Sequence, residues 1–460
     1  MKPMNKTRWG SLAVAGLLLL SACGAEPEGQ TPDDRPKPVS PAPECADGEP
    51  LAHEFESGAR WSLCWSVEPD HGMVLSDIYF EAPEGRSQRV IDTIAIAQLE
   101  VPYDSGERLT SDITDAGFGG TWMKTLTEQE CTGDLHSTEI PNIGDGTHGL
   151  TPDREVLCST TVDAGLGYRS QENGTLTTTQ ASEWNVYTVS KVGWYEYISQ
   201  YVFTADGTIR PQLGATGDLS PVDFADEDHG WPIGEGEADY AASHSHNAIW
   251  RVDWGLGDGQ AQAVEQYDAV ETGDEGRKSR IVEGSLSRIE SPAVAHKADR
   301  RWWRVLAPET LNADGHPVSY EIGLEKTDSF TTLRDEHHHG DDAGYDVAFT
   351  NADDCQRFAT YNPTSDGCGR GVLDFVEDGE DEELHDVVSW VAVGFHHVPR
   401  DEDQSPMEMH WQGFTLQPRD LNAQRPGLPE GREHLNGQPD EWQGEDVDDL
   451  TERDSGGLIE

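Results

Sequence analysis

The sequence is poor in positive charge. Its 460 residues contain 32 Lys and Arg against 87 Asp and Glu, which gives a formal net charge of −55 at pH 7. Nucleic acid and an anionic membrane surface would both repel such a chain, so we exclude them as partners. A cationic substrate would be attracted, but an adaptation to salt or a solubility device explains the acidic coat equally well, because charge runs are usually solvated faces.

Long helical periodicities and internal repeats are also missing. The chain instead has 48 Gly, 26 Pro and short apolar segments separated by turns, a pattern typical of an all-β architecture with few short helices. A hydrophobic share of 35% with 14 Trp is sufficient for a packed core. The length predicts one large domain or two ordinary ones.

The apolar run near the N-terminus, Leu12 to Leu20, is too short for a permanent membrane helix. Lys2, Lys6 and Arg8 precede it, and small residues lead from it to Cys23. A basic segment, a short apolar run and small residues before a cysteine predict a lipoprotein signal peptide over 1–23. We therefore expect an exported protein whose lipidated Cys23 anchors it at the periplasmic or cell-surface membrane.

Cysteine usage fits that compartment. Without Cys23 the chain keeps six cysteines, an even number that suits an oxidising environment. Six cysteines allow fifteen pairings, and the simplest joins neighbours in the sequence. These pairs are Cys45 with Cys64, Cys131 with Cys158, and Cys355 with Cys368.

Composition also indicates where the folded body begins and ends. Residues 24–50 are rich in Pro, Glu, Asp and Gly and predict a disordered tether, and residues 428–460 predict an acidic disordered tail. The segment 51–427 between them carries the apolar strands. Within it, His337-His338-His339 lies in a Gly- and Asp-rich stretch that we interpret as an exposed polar loop.

Two strand-like segments carry the chemistry. The aromatic and β-branched run from Val192 to Phe203 precedes Asp206-Gly207, which predicts a hairpin with a type I′ turn. His244 and His246 are two residues apart, so on a strand both imidazoles face one side and can chelate a metal ion. Without a third ligand, two hydrogen-bonded histidines in a sheet explain the pair as well. His397, at the end of an apolar strand, could supply a third nitrogen, and copper(II) favours imidazole.

In this arrangement the sequence resembles the copper-containing amine oxidases, in register from about Trp61 to Pro426. Five motifs appear in the family's order. They are Val101-Pro102-Tyr103; Thr114-Asp115-Ala116-Gly117; Trp194-Tyr195-Glu196-Tyr197 with the Asp206-Gly207-Thr208 hairpin; His244-Ser245-His246; and His397 followed by Pro399, Arg400, Glu402, Asp403 and Met407.

The resemblance implies a β-sandwich, a homodimer and a specific reaction. Tyr195 would be the precursor of the quinone cofactor topaquinone, formed beside copper(II) bound by the three histidines. Asp115 would be the catalytic base and Tyr103 the hydroxyl that hydrogen-bonds the quinone oxygen. Segment 51–427 would then be the catalytic domain, with Cys131–Cys158 as the family's disulfide, and would convert a primary amine and dioxygen to aldehyde, ammonia and hydrogen peroxide. Burial tunes a carboxylate for proton abstraction, so we expect Asp115 to be partly desolvated.

The sequence departs from the family at two sites. Trp194 replaces the asparagine that restrains the quinone ring, so we expect ring mobility and cofactor formation to differ here. The family's peripheral calcium site matches at Asp253 and Asp386, but Gly255 replaces a further aspartate. Calcium takes about six to eight oxygens, so the loss weakens that site and leaves calcium binding open.

Two other functions fit the same residues. A copper-binding lipoprotein could retain the histidine site while Tyr195 stays unprocessed. A structural surface protein could simply bury its histidines in the core.

Overall fold

The structure is a computed structural model that describes residues 43–83, 85–140, 153–172, 175–222, 224–235, 239–328, 344–362 and 367–429. The predicted signal peptide with Cys23, most of the tether, the triple histidine and almost all of the acidic tail lie outside these residues. Within the described chain, no helix has both the length and the apolar character needed to cross a membrane.

Strands dominate the described chain, as the composition predicted. Two short helices accompany them, α1 (Asp112–Asp115) and α2 (Val372–Asp378). In chain order the strands are β1 (Glu49–Glu54), β2 (Arg60–Glu68), β3 (Gly72–Glu81), β4 (Ser87–Pro102), β5 (Leu109–Ser111), β6 (Asp134–Glu139), β7 (Asp153–Glu172), β8 (Thr175–Val192), β9 (Tyr195–Thr204), β10 (Ile209–Gly217), β11 (Gly230–Pro232), β12 (Tyr240–Ala242), β13 (His244–Trp254), β14 (Ala263–Glu275), β15 (Arg280–Ile289), β16 (Ala293–Ala295), β17 (Trp302–Leu311), β18 (Pro317–Leu324), β19 (Val347–Asn351), β20 (Val387–His397) and β21 (Met407–Arg419).

Two large antiparallel sheets form the body. The nine-stranded sheet has the order β1-β2-β3-β4-β13-β20-β19-β16, with β5 paired to β4. The ten-stranded sheet has the order β15-β14-β17-β18-β21-β10-β9-β8-β7-β6, and β11 and β12 pair separately. Strands β13 and β9 are therefore interior strands of different sheets. Each is hydrogen-bonded to a neighbouring strand on both sides, which restricts the positions of the side chains that it carries.

The core lies between the sheets. One buried cluster contains Trp61 and Trp250 from the first sheet and Phe203 and Tyr320 from the second. Trp61 also donates its indole N–H to the carbonyl of Thr204 across the interface, at 2.8 Å. These contacts confirm the predicted antiparallel β-sandwich.

The hairpin after β9 differs in detail from the prediction. Gly207 has φ 97°, but Asp206 is not among the described residues with positive φ, and a type I′ turn needs positive φ at both central positions. The loop has three residues, because Thr204 and Thr208 close it with a backbone hydrogen bond of 3.1 Å. A Cβ at position 207 would lie 2.8 Å from Pro418 Cγ, so the glycine is needed for space as well as for conformation.

All three predicted disulfides are confirmed. Sequence neighbours pair, with Cα–Cα distances of 5.7, 5.7 and 4.9 Å. Each spans a short segment, so the bridges act locally; they are Cys45–Cys64, Cys131–Cys158 and Cys355–Cys368.

Candidate metal centre

Three histidines converge at one end of the nine-stranded sheet. His244 and His246 project to the same side of β13, as their spacing predicts. His397 ends β20 and lies directly opposite His244 in the antiparallel register. One ligand nitrogen from each ring lies within 4.8 Å of the other two. Pairing of two strands that are far apart in sequence thus completes a set of three imidazoles.

The three rings are neutral because they are buried. Their exposed fractions are 1% for His244, 0% for His246 and 4% for His397. Desolvation lowers the pKa of His244 to about 3, and also lowers the pKa of His246 and His397. Neutral imidazole is the form that binds a metal ion, so no proton has to be displaced at neutral pH.

Hydrogen bonds on the outer side of each ring determine which nitrogen faces the centre. His244 Nδ1–H donates to the Ala242 carbonyl at 2.9 Å, and His397 Nε2–H donates to Asp403 Oδ2 at 3.0 Å. His246 Nδ1 lies 3.3 Å from the Tyr197 hydroxyl. These contacts leave His244 Nε2, His246 Nε2 and His397 Nδ1 as ligands, the orientation that such outer partners impose in metal sites.

The donor set fits copper(II). His246 Nε2 is buried and has no hydrogen-bond partner, a costly state for a polar atom unless an ion binds it. Three imidazole nitrogens suit copper(II), with positions left for water or another oxygen ligand.

Tyr195 places its hydroxyl between two of these nitrogens. It begins β9, and its oxygen lies 2.9 Å from His244 Nε2 and 3.2 Å from His397 Nδ1. Burial raises its pKa above the usual value, so the phenol is protonated at neutral pH. The ring is therefore held against the triad from the opposite sheet, where an oxidant formed at the metal would reach it.

Tyr103 contacts the triad directly, and Trp194 lies beside it through Arg108. The Tyr103 ring is 6% exposed and stacks on the His244 ring at 5.0 Å between centroids. The Arg108 guanidinium lies over the Tyr103 ring, 4.2 Å from its centre, and is 5.8 Å from the centre of the Trp194 ring. Trp194 itself is 38% exposed. The structure thus brings Tyr103 to the site, and an arginine and an indole beside it.

The burial of the two carboxylates of α1 differs from the prediction. Asp115 is exposed and accepts a hydrogen bond from the Ser111 backbone N–H at 3.2 Å, so it does not meet the expectation of desolvation. Asp112, one turn earlier, is only 3% exposed. Burial raises the pKa of Asp112 to about 8, although the Tyr197 hydroxyl donates to its carboxylate and partly offsets that rise.

Asp112 is the functional candidate that the sequence reasoning missed. Its signal was present, because Asp112 and Asp115 lie three residues apart in one acidic segment. Only the packing of α1 distinguishes them. Through Tyr197, Asp112 connects to His246, and the Tyr197 ring stacks beside Tyr195 at 6.0 Å between centroids.

The residues that match the family's calcium site lie apart from this centre. Asp253 is 9% exposed and pairs with Arg251 Nη2 at 3.1 Å, and Asp386 is exposed nearby. Burial raises the pKa of Asp253 to about 6, and the negative charge of Asp386 adds to that rise. At Gly255, a Cβ would lie 2.8 Å from Arg89 Cγ, so the glycine leaves space for the Arg89 side chain. Calcium binding here is left open, as it was from the sequence.

Comparison with known proteins supports one family. The model of the copper amine oxidase enzyme domain matches residues 57–430. The chain is 26% identical over 388 residues to histamine oxidase of Arthrobacter globiformis, covering 81% of this chain and 56% of that protein. It is 24% identical over 393 residues to primary amine oxidase of Arthrobacter sp. strain P1, covering 80% and 59%.

Solved structures agree on the fold. A copper-containing benzylamine oxidase from Hansenula polymorpha superposes with a TM-score of 0.69 at 22% identity, covering 87% of this chain and 66% of that one. Aspergillus nidulans amine oxidase gives a TM-score of 0.67 at 21% identity, covering 90% and 60%. The chain thus spans less than two thirds of the length of these curated relatives, 56% and 59%.

Proposed function

The chain belongs to the copper amine oxidase family, and from that premise we propose that it oxidises a primary amine with dioxygen, releasing aldehyde, ammonia and hydrogen peroxide. The single observation that carries the proposal is the Tyr195 hydroxyl between His244 Nε2 and His397 Nδ1, at 2.9 and 3.2 Å. A merely structural role for the histidines does not explain why His246 Nε2 is buried without a partner.

The proposed metal ligands are His244, His246 and His397. Bound copper(II) would supply, with dioxygen, the oxidation that converts the Tyr195 ring to topaquinone, the carbonyl group with which a primary amine can react. The protein's own part is to hold the ring and the imidazoles in place before reaction. Outer hydrogen bonds from Ala242 and Asp403 keep two of the imidazoles in the ligand tautomer.

Proton transfer is proposed to fall to Asp112. A general base must be ionised when it acts and basic enough to take a proton, and a pKa of about 8 for a buried carboxylate meets that need near neutral pH. In accepting the proton from the carbon next to the amine nitrogen, the Asp112 carboxylate would become a neutral carboxylic acid, which its burial favours. Asp115 stays a candidate from its motif, although its exposure does not support it.

Tyr103 and Tyr197 would position the reacting groups. Tyr197 donates to Asp112 and accepts from His246, so it orients the base relative to the metal centre. Tyr103 stacks on the His244 ring and so restrains an imidazole that hydrogen-bonds Tyr195.

The experiment is to load the purified protein with copper, aerate it and titrate with phenylhydrazine. The proposal expects a visible quinone band that phenylhydrazine shifts, together with peroxide release from primary amines. Tyr195→Phe should lose both and still bind copper. Turnover that persists in Tyr195→Phe would contradict the assignment.

A second candidate is a copper-binding protein in which Tyr195 stays unprocessed. Trp194 favours it, because it stands directly before Tyr195 in the sequence, in place of the asparagine that restrains the quinone ring in the family. This protein would contain copper and stay colourless after aeration. The same titration therefore separates the two functions.

Assembly and location are further proposals. We propose a homodimer; in support, the hairpin β14–β15 exposes the apolar residues Val270, Ile281, Val282 and Leu286, which a partner could cover. Light scattering should give twice the monomer mass. We also propose export and anchoring through lipidated Cys23; Cys23→Ser should move the protein from the membrane fraction to the soluble one.

A further inference from the structure

A second group of metal-ligating side chains lies behind the triad. His397, Asp403 and His410 bring one ligand atom each within 4.8 Å of one another. His410 lies on β21, its ring 4.9 Å from the His397 ring and stacked on Phe395 at 5.4 Å between centroids. His410 belongs to none of the motifs that identify the copper centre.

Two atoms of this group are buried without hydrogen-bond partners. Asp403 Oδ2 accepts from His397 Nε2 and from the Arg400 backbone N–H, both at 3.0 Å, but Asp403 Oδ1 accepts no hydrogen bond. His410 Nε2 faces it at 3.8 Å and is also unpartnered. That separation is too long for a hydrogen bond. Arg400 Nε lies 3.6 Å from Oδ1, but its side chain is 56% exposed.

A cavity leads from solvent to Asp403. It has a volume of about 840 Å³, and Asp403, itself 6% exposed, forms part of its wall. Five of the six charged residues in the described lining are acidic and would concentrate cations there. These residues are Asp218, Glu235, Asp239, Asp401 and Asp403, with Arg400 as the cation among them.

We propose that Asp403 Oδ1 and His410 Nε2 form a second binding position for a divalent transition-metal ion, copper(II) in particular, through which the histidine triad is loaded. Ligand distances to such an ion are about 2.0–2.2 Å, so an ion between the two atoms fits their 3.8 Å separation. One imidazole nitrogen and one carboxylate oxygen are ligands that copper(II) and zinc accept.

The site suits transfer more than retention. It offers two protein ligands against three imidazoles in the triad, so an ion held there should exchange faster. His397 borders both positions, because its Nδ1 faces Tyr195 and its Nε2 donates to Asp403. The inference rests on the proposed copper ligands but not on amine oxidation, so it can be tested without turnover.

The test is an anaerobic titration of the metal-free, full-length protein with copper(II), followed by electron paramagnetic resonance. The wild type should bind one equivalent more than His410→Gln. The additional ion should broaden the signal of the triad copper by dipolar coupling, because the two positions lie on opposite sides of the His397 ring, whose Nδ1 faces the triad and whose Nε2 donates to Asp403. Dipolar coupling between two copper ions in the wild-type spectrum tests the second position even if His410→Gln folds poorly.

The matched control is His296→Gln. His296 Nδ1 also lies 3.8 Å from a carboxylate oxygen, Asp346 Oδ2, but its ring is 61% exposed and Asp346 Oδ2 accepts from the Lys297 backbone N–H at 2.8 Å. This variant should keep the wild-type stoichiometry. At limiting copper, His410→Gln should also fill the triad severalfold more slowly than His296→Gln.

Two results would overturn the inference. One is equal copper stoichiometry in the wild type and His410→Gln. The other is an additional ion that shows no coupling to the triad copper, which would place it elsewhere, for example at the His337-His338-His339 run.

Discussion

The two sheets contribute unequal halves to the site. The nine-stranded sheet supplies three imidazoles, and each outer nitrogen contacts a group of its own: Ala242, Tyr197 or Asp403. The ten-stranded sheet supplies Tyr195, and the two hydrogen bonds of its hydroxyl are both to those imidazoles. The imidazoles are thus held in place without Tyr195, although Tyr197 behind His246 also comes from β9, while the position of the Tyr195 hydroxyl depends on the imidazoles. Damage to one half should therefore not mirror damage to the other.

The largest expected effect comes from His246→Ala. Copper affinity should fall by more than about 100-fold, since altering only the partner behind a ligand already costs about 10–100-fold. The quinone should be lost as a consequence. Metal analysis and phenylhydrazine titration measure the two losses, and Tyr195→Phe, as the opposite half, should lose only the quinone. Quinone formation in a copper-free His246→Ala protein would contradict the dependence.

The two carboxylates of α1 give the next effect. Asp112→Asn should lower kcat by about 10²- to 10⁴-fold, the usual contribution of a general base, with quinone content unchanged. Asp115→Asn should remain close to the wild type, because Asp115 is exposed. Steady-state kinetics normalised to phenylhydrazine-reactive quinone makes the comparison. The reverse ranking would restore the assignment from the sequence motif.

A pH profile sharpens the same comparison. Burial raises the pKa of Asp112 to about 8, so below that pH the carboxyl is mostly protonated and cannot accept a proton. On the enzyme side, kcat/KM should rise through about pH 8 and level off above it, once the ionisation of the substrate amine has been corrected for. Asp115→Asn should keep the shape of the profile but move the rise toward lower pH, because the negative charge of Asp115 contributes to the raised pKa of Asp112. A profile already flat between pH 5 and 9 would argue against Asp112 as the base.

Trp194→Asn should produce the smallest change in binding and stability. The indole is 38% exposed, so the free energy of unfolding should change by only about 0.5 kcal/mol. The rate of quinone formation after copper addition should rise, because the substitution restores the asparagine that precedes the cofactor tyrosine in the family. Trp122→Asn is the control, as Trp122 is 53% exposed. Equal rates in both variants and the wild type would show that Trp194 does not limit cofactor formation.

Prediction from the sequence succeeded where the signal was local. Alternation along a strand placed His244 and His246 on one face, and pairing of neighbouring cysteines was right for all three disulfides. The hairpin after β9 was recognised from Asp206-Gly207, but the predicted turn type was wrong. A two-residue loop and a three-residue loop both place a glycine with positive φ at this point, so the dipeptide does not distinguish them.

The sequence by itself determined the sandwich strands, the facing of the His-x-His pair and the order of the family motifs, because side-chain period, turn residues and motif order are all properties of short segments. The tertiary structure alone decided that His397 stands opposite His244, that Asp112 and not Asp115 is buried, and that His410 faces Asp403. The burial of a side chain and the register of two paired strands depend on segments that are distant in the sequence and meet only on folding. A local sequence pattern therefore does not show which side chains lose contact with solvent.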